Sequence, residues 1–88
     1  MRRVVVTGMG IVSCIGNNLS DVTQSLKTGR SGIKFQQDYA DLGFRSHIAG
    51  SIDLNIEDHI ERHDRRFMGD AAAFSYIAMK QAIEHAGL

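Results

Sequence analysis

Arg3-Val4-Val5-Val6-Thr7-Gly8-Met9-Gly10-Ile11-Val12-Ser13 decides how the rest of the chain is read. Three β-branched valines run straight into Thr7 and two glycines. An unbroken apolar run without alternation is the pattern of a strand buried on both faces, in a parallel sheet covered by helices. Gly8 and Gly10 let neighbouring backbone come close, or supply φ values that a side chain forbids. Such a strand needs partner strands, and the remaining residues supply hardly any. The chain therefore reads as the front of a larger α/β unit, incomplete as it stands.

Composition sets the outer bounds. At 88 residues the chain makes one domain at most, and a chain this short buries only about 60–65% of its unfolded surface. Apolar residues make up 43% and charged residues 23%, which is ordinary for a globular protein and argues against disorder. No apolar run approaches the roughly 18 residues that span a bilayer, and the glycine-broken opening lacks the pattern of a signal peptide. The single cysteine, Cys14, cannot close an internal disulfide and fits a reducing cytoplasm. Ten basic and ten acidic residues cancel, so no global field draws the protein to nucleic acid or membrane. Electrostatic recognition must come from local clustering.

Going outward from the opening run, Ser13 to Asn18 is a turn by composition. Asn18 suits a helix N-cap, Leu19, Val22 and Leu26 share a face, and Lys27 with Gly29 closes a helix of about ten residues. Arg30 to Phe44 reads as a long loop with one helical turn around Gln37–Leu42. Ile48, Gly50, Ile52 and Leu54 alternate with polar or small residues, the pattern of a half-buried strand at a sheet edge or in a separate ribbon. Asn55 starts another helical segment. From the basic stretch Arg62-His63-Asp64-Arg65-Arg66 to His85 the helical period is continuous, with Phe67/Met68, Ala71/Ala72, Ala78/Met79 and Ala82/Ile83 on the stripe and Gly87 as its stop. A helix apolar nearly all round is one buried in a larger protein.

Three motifs invite chemistry, and each has a plainer reading. Gly8-Met9-Gly10 after a strand suggests dinucleotide binding, as in a Rossmann-type oxidoreductase. That fingerprint needs a third glycine where Ser13 stands, and a helix opening directly from the glycines. Close packing explains them better. Cys14 has no activating neighbour in sequence and reads as a small packing residue. His59 and His63 stand four apart, a spacing that can share a metal, yet no third ligand is near and a solvated helix face accounts for both. The basic stretch is more informative. Cations at a helix N-terminus oppose its dipole, so Arg62, His63, Arg65 and Arg66, with Arg45, form either a solvated face or a patch for an anionic partner.

The residues also carry a resemblance. Val6-Thr7-Gly8-Met9-Gly10-Ile11-Val12-Ser13-Cys14-Ile15-Gly16-Asn17 resembles the N-terminal signature of β-ketoacyl-acyl-carrier-protein synthases. Gly29-Arg30-Ser31-Gly32-Ile33, Arg62 through Asp70, and Gln81 to Leu88 follow that family in order. Ile15-Gly16-Asn17-Asn18, Phe44-Arg45-Ser46-His47 and Arg66-Phe67-Met68 are similar to its type I branch. The resemblance implies a thiolase-like fold in which this chain, residues 1–88 without an internal boundary, is the N-terminal segment of the first half: a buried strand of a mixed sheet, a covering helix and a buried helix. It implies an acyltransferase of fatty acid biosynthesis, a cytoplasmic homodimer that elongates acyl chains by decarboxylative Claisen condensation with malonyl carrier protein. The family nucleophile and catalytic histidines lie downstream, so no residue here is assigned a catalytic, metal or cofactor role, and no cofactor is implied. Arg62, His63 and Arg66, with Arg45 as a further candidate, match positions that meet the acidic acyl carrier protein. His63 stands where lysine is usual, which makes that contact pH-dependent. The expected function is scaffold and carrier docking. The alternatives are a non-catalytic carrier-binding module and, further off, a Rossmann-type oxidoreductase fragment.

Overall fold

The computed structural model describes residues 2–88. Helix α1 spans Leu19–Thr28, and a two-stranded antiparallel ribbon pairs β1 (Ile33–Phe35) with β2 (Ile48–Gly50) in the register Ile33↔Gly50, Lys34↔Ala49, Phe35↔Ile48. A short helix α2 (Gln37–Asp41) connects the two strands. A single 3₁₀ turn at Ile56–Asp58 leads to the one-turn helix α3 (Arg62–Arg65) and the long helix α4 (Asp70–Ala86). Helices beside a small sheet make this an α/β chain, and no helix is long and apolar enough to cross a membrane among the described residues.

Local signals account for α1 and for the end of α4. The Asn18 side chain accepts from the Asp21 backbone N–H at 2.9 Å, satisfying one donor left free at the first turn. Gly29 (φ 70°) and Gly87 (φ 78°) stop their helices in the left-handed conformation that a side chain resists. Asn55 likewise accepts from Glu57 N–H at 3.1 Å to open the 3₁₀ turn.

Two expectations need correcting. The opening valines form no strand: residues 2–12 have no regular structure, and Val4, Val5 and Val6 are 94%, 74% and 81% exposed. A strand exists only through its ladder, and the nearest ribbon uses its own two strands, so propensity has nothing to pair with. The continuous helix from the basic stretch is also broken. Phe67 and Met68 donate to carbonyls three residues back, and Gly69 leaves helical space entirely (φ −75°, ψ 173°) before α4 begins.

Gly8 and Gly10 do mark a close approach, and what they approach is a helix. A Cβ on Gly8 would lie 2.7 Å from the Ala86 nitrogen, and one on Gly10 would lie 2.8 Å from the Ala82 nitrogen, with the Ala78 carbonyl nearer still. The opening segment thus lies directly on the Ala78–Ala82–Ala86 edge of α4. Gln81 and His85 on that helix accept the backbone N–H groups of Ile11 (3.1 Å) and Met9 (3.0 Å). The side of the glycines that a pyrophosphate would need is filled by α4, which removes the dinucleotide reading.

The core is small: Ile60, Ala73 and Ile77, with Val12, Leu54, Ile56 and Met68 packed around them. The accessible surface is 7253 Å², where a compact monomer of this size shows about 5100 Å². The radius of gyration is 16.2 Å against about 12 Å for a compact domain of this length. Exposed apolar side chains of this extent drive association. The isolated chain is therefore expected to self-associate and to melt without a sharp transition. Sedimentation showing a clean monomer, together with a cooperative thermal melt, is the contrary outcome.

Candidate functional site

The corner between α3 and α4 gathers most of the basic residues singled out in the sequence. Arg62 and Arg66 are one helical turn apart, held so by an Arg66 N–H to Arg62 carbonyl bond of 3.3 Å, and they project from one face. Both are exposed, and neither makes an ion pair among the described residues. Arg65 is used differently. Its guanidinium bonds the Asp70 carboxylate at 2.7 Å and the Met68 carbonyl, which ties α3 to the first turn of α4. Asp70 there complements the α4 dipole, while Arg62 and His63 open the separate one-turn helix α3. Gly69 divides these cations from the N-terminus of α4.

Phe67 completes the patch and departs from expectation. The helical period places it on the buried stripe, yet it is 78% exposed. The Arg66 guanidinium carbon lies 5.6 Å from its ring centroid. The His63 imidazole meets it edge-on at 6.0 Å and 79°. An arginine at this distance from an aromatic face is in the range of a cation–π contact. The only sequence signal for this cluster is the spacing of His63, Arg66 and Phe67, which a turn of helix brings to one side.

Arg45 lies in the connection between α2 and β2, exposed and without an ion pair among the described residues. His59 follows the 3₁₀ turn and His63 lies in α3, so the two are not on one helix, and no three His, Cys, Asp or Glu side chains gather at metal-ligand spacing among the described residues.

Cys14 occupies the two-residue turn closed by Ser13 and Gly16 (Ser13 N–H to Gly16 carbonyl, 2.8 Å). Its sulfur is pressed between two glycines: a Cβ on either Gly32 or Gly50 would come within 2.9 Å of it. The residue thus fills the seam between the opening segment and the ribbon. Beside it a cleft of about 320 Å³ carries Arg30 and Lys34 together with Asp21 and Asp53, a mixed lining with no net preference for one sign of ligand. Cys14→Ser in the full-length protein is expected to leave activity within a few-fold of wild type, because the side chain only fills this seam. A covalent adduct on the Cys14 thiol, seen by mass spectrometry after incubation with substrate, would show instead that the thiol reacts.

An α/β segment with an outward cation–aromatic patch is the class that fold and site define. The chain belongs to the family described as "Beta-ketoacyl synthase, N-terminal domain", whose sequence model matches residues 1–88. Over 88 residues it is 54% identical to 3-oxoacyl-[acyl-carrier-protein] synthase 1 of Haemophilus influenzae, covering all of this chain and 22% of that protein. It is 50% identical to the protein of the same name from Escherichia coli, with the same coverage. It is also 33% identical to 3-oxoacyl-[acyl-carrier-protein] synthase 2 of Staphylococcus aureus, across 99% of this chain and 21% of that protein. The chain spans about a fifth of the length of the curated relatives it matches.

Proposed function

We propose that residues 1–88 are the N-terminal segment of a 3-oxoacyl-[acyl-carrier-protein] synthase, a single unit without internal boundary in the first half of a thiolase-like fold. The complete protein is an acyltransferase that works as a homodimer in the cytoplasm. In its reaction an acyl group passes from its carrier to a cysteine as a thioester. Malonyl carrier protein then loses carbon dioxide, and the resulting carbanion attacks the thioester carbon. A carbon–carbon bond forms, the cysteine thiolate leaves, and the 3-oxoacyl group remains on the carrier. The groups that perform these steps belong to the remainder of the protein.

This segment contributes scaffold and docking. The observation that carries the docking role is the pair of arginines, Arg62 and Arg66, on one face without an ion-pair partner among the described residues, in a chain of this family. Cations already paired within the protein, like Arg65, have little left for an outside carboxylate; these two are free for one. His63 and Arg45 are further candidates for the contact, both exposed. The acyl carrier protein is the acidic partner, and nucleic acid is not expected with ten charges of each sign. The test is condensation by the full-length protein with carrier-borne substrates, read as carbon dioxide release. A full-length protein that binds the carrier but releases none is a binding module instead.

A further inference from the structure

We propose that Phe67 is the apolar centre of the docking patch, the seat for an apolar side chain on an acidic amphipathic helix of the partner. This rests on the carrier-docking reading above and says what the partner must present besides negative charge. Phe67 and Met68 are neighbours that go opposite ways: Met68 packs on Ile60, Ala73 and Ile77, while Phe67 stands outside. The corner that sends them apart is pinned by Arg65 on the Met68 carbonyl and the Asp70 carboxylate. The ring's outward position is therefore a built feature of the α3–α4 corner.

Its surroundings point to the occupant. His63 meets the ring by its edge and Arg66 lies 5.6 Å from the centroid, while most of the ring stays open to solvent. An aromatic residue flanked by an arginine and an imidazole has the composition of an interface hot spot, an apolar centre inside a polar rim. Arg62 and Arg66 are separated by one helical turn, the separation of carboxylates four apart on a partner helix. On such a helix an apolar residue next to the second carboxylate shares the face and comes over Phe67. A single-stranded nucleic acid would also offer anions and a stacking face, but the balanced charge of the chain gives it no wider footprint.

The test uses the full-length protein and measures carrier-protein affinity for Phe67→Ala and Phe67→Leu in about 0.1 M and about 1 M salt, over which the screening length falls from about 10 to about 3 Å. Phe67→Ala is expected to weaken binding roughly 5–30-fold at both salts, as for a central aromatic contact, and Phe67→Leu to recover most of it. A loss that fades with salt in step with that of Arg62→Glu/Arg66→Glu overturns the proposal, since the ring would then only orient cations. So does a Phe67→Leu as weak as Phe67→Ala, an equal loss of turnover on a protein-free thioester, or displacement of the carrier by single-stranded oligonucleotide at low salt. If the double charge reversal acts and Phe67→Ala does not, only this inference falls. If the double reversal leaves affinity unchanged, the docking reading itself is wrong.

Discussion

Purified alone, the 88-residue chain is expected to release no carbon dioxide from malonyl carrier protein above the enzyme-free blank. Condensation needs a reactive thiol beside groups that stabilise the decarboxylating malonyl unit, held within hydrogen-bond reach of each other. The one thiol, Cys14, is wedged in the seam between Gly32 and Gly50. The histidines are elsewhere. His47 meets Phe35 edge-on at 5.9 Å, His63 meets Phe67 in the same way, and His85 accepts the Met9 N–H, while His59 follows the 3₁₀ turn. None is bonded to Cys14, so the nucleophile–base pair is not assembled. Radiometric detection of released carbon dioxide from the purified segment would place the chemistry here and withdraw the scaffold assignment.

Arg62→Glu combined with Arg66→Glu in the full-length protein is expected to lower kcat/KM for carrier-borne substrate roughly 10–100-fold at low salt, about 1–3 kcal/mol of lost complementarity. The two guanidinium groups project from one face with no ion-pair partner among the described residues, so reversal turns two attractions into two repulsions without breaking an ion pair in the fold, at the cost of the Arg66–Phe67 contact. Exposed charges act mainly on encounter rate and orientation, and the effect should shrink as salt screens them over about 8–10 Å. A short acyl thioester carrying no protein should be turned over nearly as before. Equal impairment of protein-free and carrier-borne substrates would make the cluster structural.

What sequence could say about this chain follows the range of the forces involved. α1 and the end of α4 were legible because Asn18, Gly29 and Gly87 act on their own backbone within a few residues. β1 was not, since Ile33-Lys34-Phe35 is a strand only by pairing with Ile48–Gly50 across α2. The valine run shows the converse: strong propensity, no partner, no strand. The period that joined the basic stretch to α4 was insensitive to Gly69, whose extended backbone resets the helical phase and turns Phe67 outward. At the patch, the spacing of Arg62 and Arg66 could be counted from sequence. The diversion of Arg65 to Asp70 could not, because it depends on how the corner bends.

The contact between the glycines and α4 has a bearing on the order of events during synthesis. Two extended residues advance about 6.6 Å and four helical residues about 6 Å, so Gly8 and Gly10 step along Ala86, Ala82 and Ala78 nearly in phase. Met9 and Ile11 step along His85 and Gln81 in the same way. Only a finished helix offers this ruler, and its rungs lie 70 and 76 residues beyond the amides they receive. At about 5–20 residues per second on the ribosome, the valine-rich segment waits roughly 4–15 s for its seat to be made. During that interval its backbone amides and apolar side chains are open to any chaperone or neighbouring nascent chain that binds extended segments.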